Sequence, residues 1–261
     1  MQDLYFGGHW LSEFGARLAD APQKEIAEYD FELIECAGRS GDVYLDNNRF
    51  KNVPLARKVK LANKRRIPTR QQIDKFVEWI AYLRGYQEFR DTQHPGSFTF
   101  AVLQNTSEII RNLPRLYETT LNFNREPYWY TDEGQRVIEL AQNADGVFEI
   151  EVDNPEPLDA TPDYVIEVQP CTVQLVIGVN GTNILLPEIT FDSEWTTLKV
   201  DNKSGQILLY DSDGIRRKPI NSRFPNALPA NQHSSIQVFS DSSAFNQFIS
   251  SVKMFPNWRH L

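Results

Sequence analysis

The chain has 261 residues, of which 41% are hydrophobic, and a formal net charge of −8. This length accommodates one large domain or two of ordinary size, and the acidic balance argues against a general nucleic-acid binder, which would normally be basic. No apolar run approaches the ~18 residues of a membrane span, and no basic and apolar secretory leader follows Met1. Cys36 and Cys171 are the two cysteines, which we expect to be buried, reduced thiols rather than a disulfide framework.

The N-terminal part of the chain predicts short strands joined by glycine turns. Residues 4–6 read as an apolar strand, and residues 29–36 as a second strand in which Phe31, Leu33 and Ile34 are half buried. Gly38 and Gly41 permit the positive φ angles that a close reversal needs.

The segment after these glycines predicts a hairpin. Val43 and Leu45 alternate with Tyr44, residues 46–48 read as a polar turn, and residues 50–53 begin the return strand. The side chains of Asp42, Asp46 and Asn47 carry oxygens that could bind calcium, but a hairpin turn explains the same residues without an ion.

Charge is unevenly distributed along the chain. Between residues 131 and 201 there are 15 acidic residues and two basic ones. One interpretation is two solvated faces of opposite sign, and the other is a basic arm that lies against the acidic surface of a neighbouring copy. Residues 47–73 contain no acid and nine basic residues: Arg49, Lys51, Arg57, Lys58, Lys60, Lys64, Arg65, Arg66 and Arg70. The apolar Leu55, Val59 and Leu61 among them predict an extended arm with one apolar side.

One helix is predicted, after this basic segment. Thr69 is a suitable N-cap, and apolar residues recur at helical spacing until Gly85. Alternating or apolar runs at residues 98–102 and 116–123 predict further strands. The apolar helical positions are Ile73, Phe76, Val77, Ile80 and Leu83.

Beyond residue 131 the pattern is almost entirely that of strands. Residues 148–152 alternate, and residues 173–179 run into Asn180-Gly181, a strong signal for a two-residue hairpin turn. Short strands at close spacing predict a β-sandwich or jelly roll. The expected organisation is therefore mainly β, with domains at residues 1–131 and 132–261.

The residue inventory gives no support for an enzyme. His9, His94, His233 and His260 are widely separated, and the chain has neither a phosphate-binding glycine loop with lysine nor a nucleophile elbow. Glu149 and Glu151 share one side of a strand, as paired glycosidase carboxylates could, but a solvated outer face explains them better. We therefore expect no catalytic residues, no cofactor and no metal.

The order of several motifs resembles the siphophage distal tail proteins, which form the hub of the phage baseplate. In the N-terminal half the resemblance rests on the turn at residues 38–42, the strand at 46–53, Arg90-Asp91, residues 98–101, Phe123 and Pro127-Tyr128. The chain departs from the family at Arg125-Glu126, where a cysteine is frequent. In the C-terminal half the resemblance rests on residues 154–162, 200–213, 224–231 and 255–259.

The resemblance implies a structural role in the tail of a virus. An N-terminal β-sandwich-like domain with one helix and a protruding hairpin would form a hexameric ring. A C-terminal galectin-like β-sandwich would project outward, and residues 248–261 could pair back onto the first domain. The protein would be made in the cytoplasm of a host bacterium and would lie at the tail tip of the virion.

The resemblance also implies the partners. These are further copies of the chain, the major tail tube protein, a tail-associated lysin or fibre hub, and peripheral or receptor-binding baseplate proteins. DNA would pass through the channel without specific binding, and no membrane would be contacted. The residues expected at the ring interface are Arg39, Asp42, Asp46, Asn47, Arg49, Phe50, Lys58, Lys60, Arg65 and Arg66.

The alternative function is a carbohydrate-binding, lectin-like adaptor module. A galectin-like sandwich invites it, and Trp195 or Tyr164 could stack on a sugar ring. Galectins themselves use a His-x-Asn-x-Arg strand and a Trp-x-x-Glu-x-Arg strand, and neither occurs here: Trp195 is followed by Thr196, Thr197 and Leu198. Fold likeness alone does not carry function, so packing or a protein interface is favoured for Trp195.

Overall fold

The protein divides into two compact units. The structure, a computed structural model, describes residues 2–19, 25–61, 69–106, 110–113 and 116–261. The first unit comprises the residues up to Trp129 together with Leu261, and the second comprises Tyr130–His260. No helix within the described ranges is both long enough and apolar enough to cross a membrane.

The described residues of the first unit contain one α-helix and ten strands that lie wholly within the unit. The helix, α1, spans Arg70–Tyr82, and a short 3-10 turn spans Leu11–Phe14. The strands are β1 (Leu4–Phe6), β2 (His9–Trp10), β3 (Ala16–Leu18), β4 (Tyr29–Ile34), β5 (Val43–Phe50), β6 (Val53–Leu61), β7 (Gln87–Asp91), β8 (Ser97–Thr106), β9 (Ile110–Leu113) and β10 (Leu116–Arg125). A short strand, β11 (Trp129–Thr131), lies where the units divide.

The main sheet of the first unit has the order β2-β1-β7-β8-β10-β6-β3, with β9 paired to β10. Strand β6 lies inside this sheet and pairs with β10 from Val53 opposite Arg125 to Leu61 opposite Tyr117. Alternate residues of β6 are buried, so the predicted apolar side is present. The segment is nevertheless an internal strand of a sheet, and the prediction of an extended arm over these residues is wrong.

Helix α1 begins where the sequence predicts. The Thr69 hydroxyl accepts a hydrogen bond from the Gln72 amide at 3.2 Å, and the Gln72 side chain accepts one from the Thr69 amide at 3.0 Å, which is a capping box. The buried face consists of Phe76, Trp79 and Ile80. Val77, predicted to belong to the buried stripe, is exposed, because it lies one position off the stripe that faces the sheet.

The core of the first unit joins α1 to the sheet. The Phe6 ring contacts Trp79 of the helix at a centroid distance of 6.4 Å and Phe123 of β10 at 4.9 Å. Edge-to-face packing of this kind adds to the stabilisation that apolar burial gives. The cluster also contains buried residues of β3, β6, β7 and β8.

The second unit contains twelve strands that lie wholly within it. They are β12 (Ile138–Glu139), β13 (Ala141–Gln142), β14 (Phe148–Asp153), β15 (Asp163–Val168), β16 (Cys171–Val179), β17 (Thr182–Phe191), β18 (Trp195–Asp201), β19 (Gln206–Asp211), β20 (Arg217–Pro219), β21 (His233–Ser240), β22 (Ile249–Phe255) and β23 (Arg259–His260). Short 3-10 turns span Glu133–Gln135 and Ser243–Phe248.

Two antiparallel sheets form a sandwich in the second unit. One has the order β12-β22-β15-β18-β19-β20, and the other has the order β13-β14-β21-β16-β17. Tyr164 and Leu198 of the first sheet and Ile177 and Val238 of the second belong to one buried cluster, as expected when two sheets pack face to face. The prediction of a mainly β protein is confirmed.

The turn between β16 and β17 has the conformation that its sequence, Asn180-Gly181, predicts. Asn180 and Gly181 have φ angles of +51° and +78°, and they connect β16 to β17, which pair directly from Val179 opposite Thr182. Positive φ at both central positions is the requirement of a type I′ turn. The predicted Asn-Gly hairpin is therefore confirmed.

Asn154 joins two segments on which the resemblance rests. Its buried side-chain amide donates hydrogen bonds to the carbonyls of Leu158 at 2.9 Å and of Leu228 and Pro229 at 3.2 Å. Ala160 and Leu228 also form an isolated antiparallel bridge. The loop at residues 224–231 is thus held against the segment at 154–162.

Candidate assembly interface

Strands β4 and β5 form a two-stranded ribbon of their own, separate from the main sheet. Asp30 pairs with Arg49, and Phe31 pairs with Asp46, so the register shifts between these two pairs. Residues 47 and 48 are the additional residues of a bulge in β5. The predicted hairpin across residues 46–48 is therefore wrong, because β5 continues through them and pairs with the preceding strand.

The chemistry of residues 46–48 explains why they form a bulge within β5 and not the turn of a hairpin. Asn48 has a φ of +51°, a conformation that asparagine tolerates better than most residues. The backbone N–H of Asn48 donates a hydrogen bond to the Asp46 carboxylate at 2.6 Å. Asp46 and Asn48 therefore form an Asx turn, but the turn lies inside strand β5 and does not reverse the chain.

The reversal between β4 and β5 is made by residues 35–42. Gly38 and Gly41 have φ angles of +82° and +86°, which confirms their predicted role. Arg39 and Asp42 are exposed in this turn, and so is Cys36. The prediction that Cys36 is buried is wrong, because the strand that precedes it has no core to enter.

Both faces of the ribbon carry exposed apolar side chains. Directly opposed residues of an antiparallel pair share a face, so Phe31 with Asp46 and Leu33 with Tyr44 form one face, which we call face A. On face A the Phe31 and Tyr44 rings stack at a centroid distance of 5.2 Å.

The opposite side, face B, consists of Glu32, Ile34, Val43 and Leu45. The five large apolar side chains of the two faces are 43% to 58% exposed. Phe31, Leu33 and Ile34, which are predicted to be half buried, are thus surface residues with about half of their area exposed. An isolated two-stranded ribbon is marginally stable in water, so this apolar surface is suited to being covered.

The base of the ribbon is held by charge and aromatic contacts. The Arg49 Nε donates to the Asp30 carboxylate at 2.7 Å, and the Lys51 ammonium lies 3.8 Å from it. The hydrogen bond from Arg49 holds the pKa of Asp30 below its usual value. Phe50 contacts Tyr29 at 5.1 Å and Tyr128 at 6.2 Å between ring centroids, which anchors the ribbon to the rest of the unit.

Six of the predicted interface residues thus lie on or beside one ribbon: Arg39, Asp42, Asp46, Asn47, Arg49 and Phe50. Lys58 and Lys60 lie instead on β6 of the main sheet, where Lys60 forms an ion pair with Glu118 at 3.2 Å. Arg65 and Arg66 lie outside the described residues. The apolar residues of the ribbon were missed, although Leu33-Ile34 and Tyr44-Leu45 place apolar side chains on both sides of each strand.

Arg57 does not belong to the solvated basic face. It points inward from β6, with its guanidinium 2.8 Å from the Glu25 carboxylate and 3.4 Å from that of Asp91. Arg125, at the position where the resemblance predicts cysteine, is buried as well and donates to the carbonyls of Glu126 and Pro127 at 2.7 and 3.1 Å. Burial lowers the pKa of Arg125.

The residues considered for sugar or metal binding form no site. Tyr164 is fully buried and cannot stack on a ligand, and burial raises its pKa. Trp195 packs against the core of its unit, with the Arg216 guanidinium 5.8 Å from its ring centroid. In the described part of the chain, no three His, Cys, Asp or Glu side chains are grouped so that they could hold a metal ion.

Glu149 and Glu151 belong to a polar surface rather than to a cleft. They lie on β14, whose alternate residues Phe148 and Val152 are buried. The His233 ring lies between two carboxylates: its Nε2 is 3.2 Å from a carboxylate oxygen of Glu151, and its Nδ1 is 2.8 Å from one of Asp153. These contacts raise the pKa of His233.

Solved structures share the fold along the whole chain. No family model and no curated protein matches the sequence. The crystal structure of SPP1 Dit (gp 19.1), described as a paradigm of the hub adsorption apparatus in phages that infect Gram-positive bacteria, has a TM-score of 0.63 at 10% identity and covers 100% of both chains. A chain of the phage P2 baseplate in its activated conformation with calcium has a TM-score of 0.50 at 8% identity and covers 97% of both. The chain therefore has the fold of a distal tail protein, as the motif order predicts.

Proposed function

We propose that the protein is a structural hub of the tail tip of a non-contractile phage, where six copies form a ring. The ring would join the tail tube protein on one side to a lysin or fibre hub on the other, and it would let DNA pass without binding it specifically. The full-length fold likeness to SPP1 Dit supports this role. In this role the chain works by binding and catalyses no reaction.

The observation that carries the proposal is the exposed β4–β5 ribbon. Phe31, Leu33, Ile34, Tyr44 and Leu45 remain in water on a ribbon too small to bury them itself. Contiguous exposed apolar surface of this kind marks a protein contact. Because both faces are apolar, assembly would cover the ribbon from two sides.

A ring requires a heterologous contact, in which one patch of each copy meets a different patch of the next. We assign the ribbon to one side of that contact, together with the polar residues that flank its apolar faces. The full set proposed for the ring interface is Arg39, Asp42, Asp46, Asn47, Arg49, Phe50, Lys58, Lys60, Arg65 and Arg66.

The second unit would serve as an outward adaptor for peripheral or receptor-binding baseplate proteins. We interpret its two packed sheets as a galectin-like sandwich, on the strength of the strand order and the motif series. Its acidic segment, residues 131–201, would then be available to basic partners. The protein would reside at the tail tip of the virion after synthesis in the host.

The mass of the assembly in solution tests the proposal. Six chains of 30.1 kDa give a ring of about 181 kDa, measured by light scattering after size exclusion, with negative-stain images of the same peak. Rings of this mass are expected. A monomer that persists at the highest soluble concentration would contradict the proposed ring.

A matched pair of variants tests the ribbon. Leu33→Asp on face A and Leu45→Asp on face B should each abolish the ring without loss of folded structure, because both side chains are exposed in the single chain. Ile215→Asp, at an apolar residue 81% exposed in the second unit, should leave the ring intact. Rings that survive both ribbon variants would exclude the ribbon from the interface.

A further inference from the structure

The ribbon of β4 and β5 is continuous with the rest of its unit at its base, through two connections. Residues 25–28 lead into β4, and residues 51–52 lead from β5 to β6. The Lys51 backbone N–H donates a hydrogen bond to the Glu28 carbonyl at 2.8 Å. Because this bond ties the two connections together, any change in the angle of the ribbon involves both of them.

Aromatic rings at the base hold the ribbon to the unit without fixing its angle. Phe50 of β5 meets Tyr128, which follows β10, edge to face at a centroid distance of 6.2 Å. Ring pairs of this kind remain favourable at centroid distances of about 4.5–7 Å. The contact can therefore serve as a pivot, because a small tilt of the ribbon would not break it.

Each connection also carries one side chain that bonds to the body of the unit. The Glu25 carboxylate lies 2.8 Å from the guanidinium of Arg57 on β6, whose side chain is 2% exposed. On the other connection, the Asn52 side-chain amide donates to the Tyr86 hydroxyl at 2.6 Å. Hydrogen bonds have a narrow range of lengths and angles, so these two contacts restrain the tilt that the aromatic pivot allows.

The angle of the ribbon matters for a ring. A heterologous contact closes into a ring when the rotation between neighbouring copies fits a whole number of copies, and otherwise it gives an open filament. The ribbon is one side of the contact proposed above, so its angle to the unit contributes to that rotation. We propose that Glu25 and Asn52 are positioning residues that fix this angle and thereby set the number of copies in the ring, an inference that rests on the proposed function.

Release of both contacts should change the size of the assembly and leave the contact between copies in place. In Glu25→Ala/Tyr86→Phe, Arg57 keeps Asp91 as a partner and the ring of residue 86 remains, so the unit should still fold. We expect light scattering and negative-stain images to show open arcs and rings of several sizes. The single six-membered species should be lost.

A matched control makes the same two chemical changes on α1. Asp74→Ala/Tyr82→Phe removes an acid whose side chain is exposed and the hydroxyl of an exposed tyrosine, and it should form six-membered rings alone. Uniform six-membered rings in Glu25→Ala/Tyr86→Phe would overturn the inference. Monomers in that variant would overturn it too, because the two contacts would then be needed for association itself rather than for its angle.

A distance measurement in single chains tests the angle of the ribbon without the ring. Leu33→Asp keeps the chains separate, and Cys171→Ser leaves the exposed Cys36, in the turn of the ribbon, as one spin-label site. Glu78→Cys, at an exposed residue of α1, supplies the second label. Double electron–electron resonance should give a narrow distribution of distances between the two labels.

Addition of Glu25→Ala and Tyr86→Phe to the labelled chain should broaden this distribution. Equal widths with and without the two substitutions would overturn the positioning role, whether or not rings form. Failure of the unaltered chain to form rings would instead overturn the ring proposal, and with it the effect on the number of copies. The distance measurement would then still decide whether the two contacts hold the ribbon.

Discussion

The guanidinium of Arg57 lies 2.8 Å from the carboxylate of Glu25 inside the first unit, although Arg57 belongs to the most basic stretch of the sequence. A second carboxylate, that of Asp91, lies 3.4 Å away. The Arg57 side chain is 2% exposed. Arg57 is therefore part of a buried charge network, whereas its sequence neighbours Lys58 and Lys60 point to the other side of β6.

Removing the Arg57 side chain should destabilise the first unit strongly. Arg57→Ala leaves the buried Asp91 carboxylate without its cation, which typically costs about 3–5 kcal/mol of unfolding free energy. Chemical denaturation monitored by tryptophan fluorescence measures this loss. The control is Arg17→Ala at an exposed arginine of β3, for which we expect a change within about 0.5 kcal/mol. Equal effects of the two substitutions would contradict the structural role of Arg57.

Asn154 should be required for the loop at residues 224–231. Asn154→Ala removes the donor to the partly buried carbonyls of Leu158 and Pro229, while the Leu228 carbonyl keeps the Ala160 amide as a donor. Loss of such hydrogen bonds costs about 1–3 kcal/mol. We expect earlier proteolysis within the loop and a lower midpoint of denaturation. Asn226→Ala, at an exposed asparagine of the same loop, should change neither. A loop that stays protected in Asn154→Ala would show that the contacts of Ala160 suffice to hold it.

His233 should make stability depend on pH. Its pKa is raised by hydrogen bonds to Asp153 and Glu151, so the protonated form is favoured in the folded state. The resulting stability is present below the unfolded-state pKa and is lost as the pH rises through the folded-state pKa. His233→Gln should thus lower the melting temperature at pH about 5.5 and leave it unchanged near pH 9.

The contribution of Asp153 to this pKa can be measured by NMR titration of the His233 ring. Asp153→Asn removes the hydrogen bond that raises the pKa of His233 most, so the titration midpoint should move to lower pH. Asp145→Asn, at an exposed acid of the same unit, serves as the control. An unchanged midpoint in Asp153→Asn would mean that the contact is not maintained in solution.

Gly134 should tolerate no side chain. A Cβ at this position would lie 2.4 Å from the backbone nitrogen of Trp258, so Gly134→Ala forces the two segments apart. We expect a loss of about 1–3 kcal/mol, as for other overpacked sites, measured by thermal or chemical unfolding. Glu133→Ala alters an exposed side chain of the same 3-10 turn and should be nearly neutral. A neutral Gly134→Ala would mean that Trp258 is not held against this turn.

The sequence by itself determined the features that depend on neighbouring residues. Thr69 with Gln72 determined where α1 begins, and Asn180-Gly181 determined the turn between β16 and β17, because a cap or a tight turn needs only the residues within it. The positive φ angles of Gly38 and Gly41 follow for the same reason. The order of such local motifs was also sufficient to predict the fold of a distal tail protein.

Only the tertiary structure decided which partner each strand has and which side faces the core. Asp46 and Asn48 form the expected local turn, but the pairing of β5 with β4 makes that turn a bulge. Arg57 is buried because β6 lies within a sheet and places every second residue inward, whatever its charge. The apolar residues of β4 and β5 are exposed because no second layer of described strands packs over this ribbon, and the presence of such a layer is set by residues distant in the chain.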